Sequence, residues 1–296
     1  MSAELMDGGP VRRRPNYRLR RNLTEASALA FSAVVVIWTL TPIYNIVAVA
    51  LEPHGDVFTN DLWPAKPSLE SFWIVVTEGY WYLEYFWGQF GNSIYVGGAT
   101  VFLTLAIGSL ASFAIGRMRI RYGWLVSNAA LLTYVIPASF LAIPFYRIMN
   151  IYGLSNNLWS VIAAEVTFAT PYAIFIFQQY AISIPIELDE AARIDGASPS
   201  QVYFRIYLPL MAPALVAVGT YALLLAWNEY LYQFLLLSSK RSMTVPVALA
   251  QFLNSDEAPW NYMMATAIVY ALPPVAIYYV FRGRMTAGLT MGGVKG

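Results

Sequence analysis

The sequence contains no cysteine and a single histidine, and only 12% of its residues are charged. The absence of cysteine excludes disulfide bonds, thiolate metal sites and cysteine nucleophiles. With His54 as the sole histidine, we expect no transition-metal cluster, and we interpret His54 as a solvated loop residue. The formal net charge is +1, which gives no bulk electrostatic attraction to nucleic acid.

Apolar side chains, in contrast, are abundant. Hydrophobic residues make up 58% of the chain and aromatic residues 16%, and the mean hydropathy is +0.52. This composition is far too apolar for an ordinary soluble domain and favours an all-α integral membrane protein. The sequence shows no internal repeat or low-complexity tract, so we expect one membrane domain, residues 27–296, after a basic arm at residues 1–26.

Six segments are long and apolar enough to cross a bilayer as helices, which requires about 20 residues each. They are residues 27–51, 93–115, 124–146, 158–182, 207–237 and 262–281. The fifth is longer than a straight span requires, so part of it should tilt or project from the membrane. Prolines in the third and sixth segments predict kinks. They are Pro137, Pro144, Pro273 and Pro274.

Lysine and arginine are distributed unevenly between the loops. Fourteen fall in the segments on one side of the predicted spans and four on the other. Cytoplasmic loops carry the excess of these residues, so we expect both termini, the 183–206 loop and the 282–296 tail to be cytoplasmic. The apolar run of the first span is longer than a signal-peptide core, and we interpret that span as an uncleaved anchor.

The first loop on the opposite side, residues 52–92, is acidic and aromatic. One interpretation is an interfacial helix with a belt of aromatic side chains at the membrane surface. The other is a surface that also meets an extracytoplasmic partner.

Residues 183–209 predict two short helices joined by a turn. Pro185 suits the first turn of a helix, and Gly196 suits the left-handed conformation that ends one. Ser198 and Gln201 have the spacing of a capping box, with Pro199 at the first helical position. The second helix should then lead into the membrane from the Leu-Pro pair at residues 208–209.

The first of these helices carries the small side chains of Ala191 and Ala192 beside Glu190 and Asp195. Small side chains allow another surface to approach closely, and carboxylates can fix its register through charge-assisted hydrogen bonds. Two interpretations remain open from the residues alone. The hairpin is a docking element for a partner, or it is an amphipathic hairpin that lies on the membrane without one.

The spacing of these residues resembles the cytoplasmic signature of permease subunits in binding-protein-dependent ABC importers. In this signature Glu-Ala-Ala is followed by Gly after three residues and, nine residues later, by Ile-x-Leu-Pro. Every position is present: Glu190, Ala191, Ala192, Gly196, Ile206, Leu208 and Pro209. The resemblance implies that the hairpin is a coupling helix-turn-helix, between the fourth and fifth of six spans, that docks on an ATP-binding subunit.

Other segments resemble the carbohydrate branch of that family, namely residues 195–198, 208–210 and 227–230. The tail, residues 288–296, resembles one of the two permease types of maltose-type importers, in which it reaches the ATPase interface. The resemblance implies a sugar or related polyhydroxylated solute and a bacterial or archaeal cytoplasmic membrane. It also implies three kinds of partner: a second homologous permease, a dimer of ATP-binding subunits and an extracytoplasmic solute-binding protein.

The chain has no Gly-x-x-x-x-Gly-Lys-Ser/Thr loop, so it cannot bind ATP by that route. We therefore expect a transport subunit rather than an enzyme, with no cofactor of its own and with ATP and magnesium on the partner subunits.

Two carboxylates, Glu165 and Glu229, lie inside predicted spans. A carboxylate in a bilayer costs about 2.5–3.5 kcal/mol, so each should face protein or water. Helical rise places both in the outer part of the membrane, and we expect a shared polar vestibule for the solute there. Further candidates for this pathway are Trp227, Asn228, Tyr230 and Gln233. The alternative for Glu229 is structural: it caps a helix break or bonds to a neighbouring span.

Two other function classes compete with an importer subunit. A self-contained secondary transporter could carry protons through Glu165 and Glu229, and internal repeats, which we do not find, would favour it. A membrane enzyme would need paired acids, a histidine cluster or a nucleophile with its base, and the sequence offers none of these.

Overall fold

The computed structural model describes residues 17–53, 62–118, 120–254 and 259–290, with side chains from residue 21 to residue 283 within those ranges. His54, most of the basic arm and the end of the tail lie outside the described residues. The described ranges contain helices and no strand, so the predicted all-α class is confirmed.

Within these described ranges, four helices are long and apolar enough to cross a membrane, or up to six if each of two bent pairs counts as one span. The four long ones are α1 (Tyr17–Ala50), α3 (Phe86–Arg117), α6 (Leu158–Ala181) and α13 (Trp260–Thr290), and a short α2 (Glu70–Val76) precedes α3. They coincide with four of the predicted spans. α1 begins before residue 27, and α13 runs as one helix through Pro273 and Pro274.

The predicted third span is not one straight helix. It consists of α4 (Gly123–Leu132), a 3-10 turn (Thr133–Val135) and α5 (Ala138–Ile151). The helix axis bends by 101° between α4 and α5. Ile136 is extended at the break, with ψ 118°. A residue before proline avoids the helical region, so Pro137 accounts for the bend.

The predicted fifth span is broken twice, which corrects the single continuous segment 207–237. The chain forms α7 (Glu187–Ile194), α8 (Pro199–Val202), a π-helical turn (Tyr203–Tyr207), α9 (Leu208–Leu210), α10 (Ala212–Asn228) and α11 (Leu231–Leu236). The helix axis bends by 77° between the helical turns over Pro199–Leu210 and α10. Pro209 and Pro213 have no N–H for the carbonyls four residues earlier, so the hydrogen-bond ladder widens before Leu208 and loses bonds on both sides of Met211. After α11 the chain forms α12 (Val245–Gln251), a 3-10 turn (Phe252–Asn254) and α13.

Helix α3 lies at the centre and packs most extensively against α6 and α10. A Cβ atom at Gly108 would lie 2.9 Å from the Cβ atom of Ala173 and 3.2 Å from the Phe177 ring. Small residues at such crossings let helices approach closely where lipid provides no hydrophobic drive for association. The close contact fixes α3 against α6 beside the α7 end of the bundle.

Candidate functional site

The candidate site is the α7 hairpin, residues 187–210. Its turn is a Schellman motif, in which Ala197 N donates to Ala192 O at 2.9 Å and Gly196 N donates to Arg193 O at 3.0 Å. Gly196 has φ +85°, and a side chain there would meet no atom within 4 Å. The glycine is therefore required by its backbone conformation and not by crowding.

The second helix begins at the predicted capping box. Gln201 N donates to Ser198 Oγ, Ser198 N donates to Gln201 Oε1 at 2.7 Å, and Pro199 occupies the first turn. The reciprocal bonds satisfy two N–H groups that a helix start leaves unpaired. The sequence thus predicted both ends of the turn correctly.

The start of the first helix was predicted too early. α7 begins at Glu187, and Pro185 lies before it. The carbonyl of Ile184 accepts a hydrogen bond of 2.8 Å from the Arg117 side chain. The 183–186 segment is therefore a link that lies before α7 and is attached to the end of α3.

Arg117, the last residue of α3, connects the bundle to α7. Its Nη2 donates to the carbonyls of Ala181 at 3.0 Å and Ile184 at 2.8 Å, at the end of α6 and in the following link. Its Nε lies 3.5 Å from Asp189 Oδ2, and the two side chains are 4% and 3% exposed. In return, Arg193 of α7 donates to the carbonyl of Arg117 at 3.3 Å. Asp189 and Arg193 stand one turn apart on α7, so one face of that helix is directed at α3.

The second arm of the hairpin is also attached to α3. The Tyr203 hydroxyl is hydrogen-bonded to Ser109 Oγ at 2.7 Å, and the Tyr207 hydroxyl to Ser112 Oγ at 3.1 Å. Both rings pack edge-on against Phe113, with centroids 5.3 and 5.1 Å away. Hydrogen bonds within a buried aromatic cluster hold this arm in one orientation.

The opposite face of the hairpin is open. Ile194 is 86% exposed, and the side chains of Glu190, Ala191 and Asp195 are exposed as well. Beside them an open cavity of about 230 Å³ is lined by Asp195, Gly196, Ala197, Gln201, Arg205 and Ile206. Of the remaining predicted coupling residues, Ala192, Ile206 and Leu208 are half-buried and Pro209 is exposed.

The solute-pathway candidates divide into separate groups. Trp227 is buried against Tyr270 of α13, with ring centroids 4.7 Å apart and planes 15° from parallel. Asn228 and Tyr230 are exposed at the break between α10 and α11. Their roles in a pathway stay predictions.

Glu229 lies at the break between α10 and α11, where its backbone is extended. Its carboxylate accepts hydrogen bonds from Tyr232 N at 2.9 Å and Gln233 N at 3.0 Å, which caps α11. Gln233 donates to the carbonyl of Ala226 at 3.1 Å and accepts a hydrogen bond from Thr244. Irregular backbone inside a membrane requires such internal partners, so the two side chains allow α10 to end there.

Glu165 is 1% exposed, and neither carboxylate oxygen has a hydrogen-bond partner among the described residues. It is close enough to Glu229 for the two groups to interact electrostatically. The structure therefore brings the two predicted carboxylates together, with Glu165 enclosed by protein.

Sequence reasoning missed the Arg117–Asp189 pair and a tyrosine cluster at the α4–α5 bend. Tyr134 donates to Phe168 O at 2.5 Å and is hydrogen-bonded to Tyr221, whose ring lies 4.3 Å from that of Tyr172. No local pattern indicates such contacts, since the partners are far apart in the sequence; Tyr134 and Phe168, for example, are 34 positions apart.

A bundle of long apolar helices with an exposed, firmly anchored helical hairpin is the architecture of a multi-pass membrane protein that can bind a partner at its surface. The model of the family described as "Binding-protein-dependent transport system inner membrane component" matches residues 105–289, which include the whole hairpin. The chain belongs to this family and is a multi-pass protein of the cytoplasmic membrane.

Two relatives agree with this assignment over nearly their full lengths. The trehalose transport system permease protein SugB of Mycobacterium tuberculosis is 32% identical over 265 residues, which cover 89% of this chain and 95% of the relative. The arabinooligosaccharides transport system permease protein AraQ of Halalkalibacterium halodurans is 30% identical over 271 residues, or 90% and 94%.

The fold has a counterpart among solved structures. A chain of a bacterial ABC transporter involved in the import of the acidic polysaccharide alginate superposes with a TM-score of 0.77 at 20% identity. The match covers 91% of this chain and 99% of the other.

Proposed function

We propose that the chain is one of two permease subunits of an ATP-driven, binding-protein-dependent importer, and that the α7 hairpin docks on a separate ATP-binding subunit. The observation that carries the proposal is the division of the hairpin into two faces. One face is tied to α3 and α6 by buried polar contacts. The other presents Glu190, Ala191 and Ile194 to the outside.

The exposed face suits a partner that approaches closely. Ala191 and Gly196 leave room, Ile194 offers a large apolar side chain, and Glu190 and Asp195 offer charge beside it. An exposed apolar residue framed by polar groups is typical of an interaction surface. The cavity beside Arg205 would accept a protruding side chain of that partner.

We further propose six spans, with each bent pair as one span and the permease domain covering residues 27–296. The excess of lysine and arginine then puts both termini and the hairpin in the cytoplasm. In this orientation the hairpin stands on the side where ATP is available. ATP and magnesium bind to the partner subunits, since this sequence has no phosphate-binding loop of the Gly-x-x-x-x-Gly-Lys type.

The proposed cargo is a saccharide, supplied by an extracytoplasmic binding protein. The names of SugB and AraQ concern trehalose and arabinooligosaccharides. Trp124, Ser127, Asn128 and Gln179 line a cavity of about 740 Å³ together with Arg117 and residues 184–187, so in the proposed orientation this surface lies at the cytoplasmic end of the pathway. Aromatic faces together with amides and hydroxyls match a molecule that has both C–H faces and hydroxyl groups.

The mechanism that follows is alternating access. The solute enters from the outside between this chain and a second permease. Closure of the ATPase dimer moves the α7 hairpin, and the hairpin moves the spans as a rigid body.

Uptake into proteoliposomes tests this function. The complex is isolated from its host through a tag on this chain and reconstituted with ATP enclosed at the ATPase side, and import of labelled trehalose and arabinotriose is measured. We expect uptake of a saccharide that requires ATP and the binding protein and that persists when a protonophore collapses the proton gradient. Uptake that needs the proton gradient and no ATP would instead support the secondary transporter with Glu165 and Glu229 as proton carriers.

A further inference from the structure

Arg117 contacts several separate elements at the α7 end. It ends α3, donates to the end of α6 and to the 183–186 link, and faces Asp189 of α7. Its guanidinium also lies 5.8 Å from the ring centroid of Tyr207, in the second arm of the hairpin. A planar group with five N–H donors can hold carbonyl and carboxylate partners together in a way that a lysine ammonium cannot.

Hydrogen bonds at this joint also satisfy carbonyl groups at the ends of α3 and α6. The carbonyl of Arg117 and that of Ala181 are among the last of their helices, where carbonyls lack a partner in the helix itself. Arg193 of α7 supplies a donor to the first, and Arg117 supplies one to the second. Thus α7 donates to a carbonyl of α3, α3 donates to a carbonyl of α6, and the Arg117–Asp189 ion pair joins α3 to α7 a second time.

The joint is enclosed but not completely filled. A cavity of about 110 Å³ is bordered by Arg117, Met118, Ile186, Asp189, Glu190 and Arg193. Asp189 has no hydrogen bond to either carboxylate oxygen within the described residues, so its charge depends on Arg117. Losing either partner would leave the other buried and unpaired.

We infer that Arg117 is a positioning residue that fixes the α7 hairpin to α3 and α6, so that a displacement of the hairpin by the ATPase moves these helices without internal slippage. The inference rests on the proposed function and adds to it the joint that transmits the movement. A hairpin held only by its chain connections would absorb part of the displacement in the 183–186 link.

Distances within the isolated complex test this joint. The chain has no native cysteine, so introduced cysteines carry spin labels without background. Phe102→Cys on α3 and Glu187→Cys on α7 are exposed positions outside the proposed docking surface. We expect the same narrow distance distribution in the nucleotide-free complex and in the complex trapped with ATP and vanadate.

Substitutions at the joint provide a second test, in which the label distances and the import per ATP hydrolysed are both measured. In Arg117→Gln the distribution should broaden, and import of the transported saccharide per ATP hydrolysed should fall about tenfold, within the usual range of coupling between sites. Arg117→Lys, which keeps the charge without the planar fork, should lie between the two. Arg121→Gln is the matched control, because its guanidinium contacts the neighbouring Tyr122 ring and is exposed. If Arg117→Gln prevents assembly, the unsubstituted joint is still tested by the two nucleotide states.

These experiments distinguish a failure of the rigid-joint inference from a failure of the proposed function. A label distance that shifts between the two states while transport proceeds would overturn the rigid joint, as would Arg117→Gln with unchanged distances and unchanged import per ATP. If instead no ATPase subunit is present in the complex, the proposed function fails, whatever the label distances show.

Discussion

Trp227 and Tyr270 exchange hydrogen bonds across two helices. The indole Nε1 of Trp227 donates to the carbonyl of Tyr270 at 3.3 Å, and the Tyr270 hydroxyl donates to the carbonyl of Trp227 at 2.8 Å. The second bond satisfies one of the last carbonyls of α10, directly before the break at Glu229. A residue chosen from the sequence as a pathway candidate therefore also fastens α10 to α13.

This pair predicts a stability effect. Tyr270→Phe keeps the stacked ring but leaves the carbonyl of Trp227 buried without its donor, which should cost about 1–3 kcal/mol. The free energy of unfolding in detergent, or the melting temperature, measures it. Tyr278→Phe on the exposed part of α13 is the control, and an equal loss there would show that the hydrogen bond is not the cause.

The break at Glu229 offers a test of its two interpretations. Glu229→Ala removes the cap of α11 and should cost about 1 kcal/mol of stability. Glu229→Gln keeps an oxygen acceptor for one N–H and should recover part of that loss. Uptake decides the role of the charge: normal transport by the Gln variant assigns Glu229 a structural role, whereas weak transport by a stable Gln variant assigns the carboxylate to the pathway.

The turn at Gly196 predicts a defect specific to coupling. Gly196→Val forces a β-branched residue to φ +85°, at a cost of about 1–2 kcal/mol for the left-handed conformation, and should misorient α8 relative to α7. ATP hydrolysis should then continue without matching uptake. Gly153→Val carries the same kind of strain, at φ +70° and also without steric contact, in the α5–α6 loop. Equal uncoupling by both variants would attribute the defect to general instability.

The hydroxyl pair of Ser109 and Tyr203 predicts a measurable interaction between α3 and the hairpin. A double-mutant cycle with Ser109→Ala and Tyr203→Phe should give a coupling of about 1 kcal/mol in stability, because the bond is buried. Ser109→Ala with Tyr172→Phe makes a control cycle, because the Tyr172 ring packs against Tyr221 instead, and its coupling should be near zero. A near-zero value for the first cycle would remove this bond from the attachment.

Local signals predicted much of the hairpin. The glycine turn and the Ser198–Gln201 box are encoded within four to six residues, and both were placed correctly. The four long spans followed from hydropathy alone. These features depend on neighbours in the sequence, which is why they could be read from it.

The features that the sequence did not reveal depend on distant partners. The kink at Pro137 was predicted, but its 101° size and the 77° bend at Met211 depend on the surrounding fold, and so does the hydrogen bond from the Arg117 side chain to the carbonyl of Ile184. The burial of Glu165 likewise follows from the packing of α6 against its neighbours and not from its position in an apolar run. Only the fold brings these groups together.

The most direct test of the central claim is whether the α7 hairpin holds an ATP-binding subunit. Ile194→Asp places a charge at the most exposed apolar position of the hairpin, and Ile151→Asp does the same at an equally exposed position at the end of α5, where 82% of the residue is accessible. Each tagged variant is purified from host membranes, and the ATPase subunit that accompanies it is quantified against the second permease. We predict that the ATPase is lost from Ile194→Asp and retained by Ile151→Asp and the unsubstituted chain. Full retention of the ATPase by Ile194→Asp, with normal ATP-dependent uptake, would contradict the account.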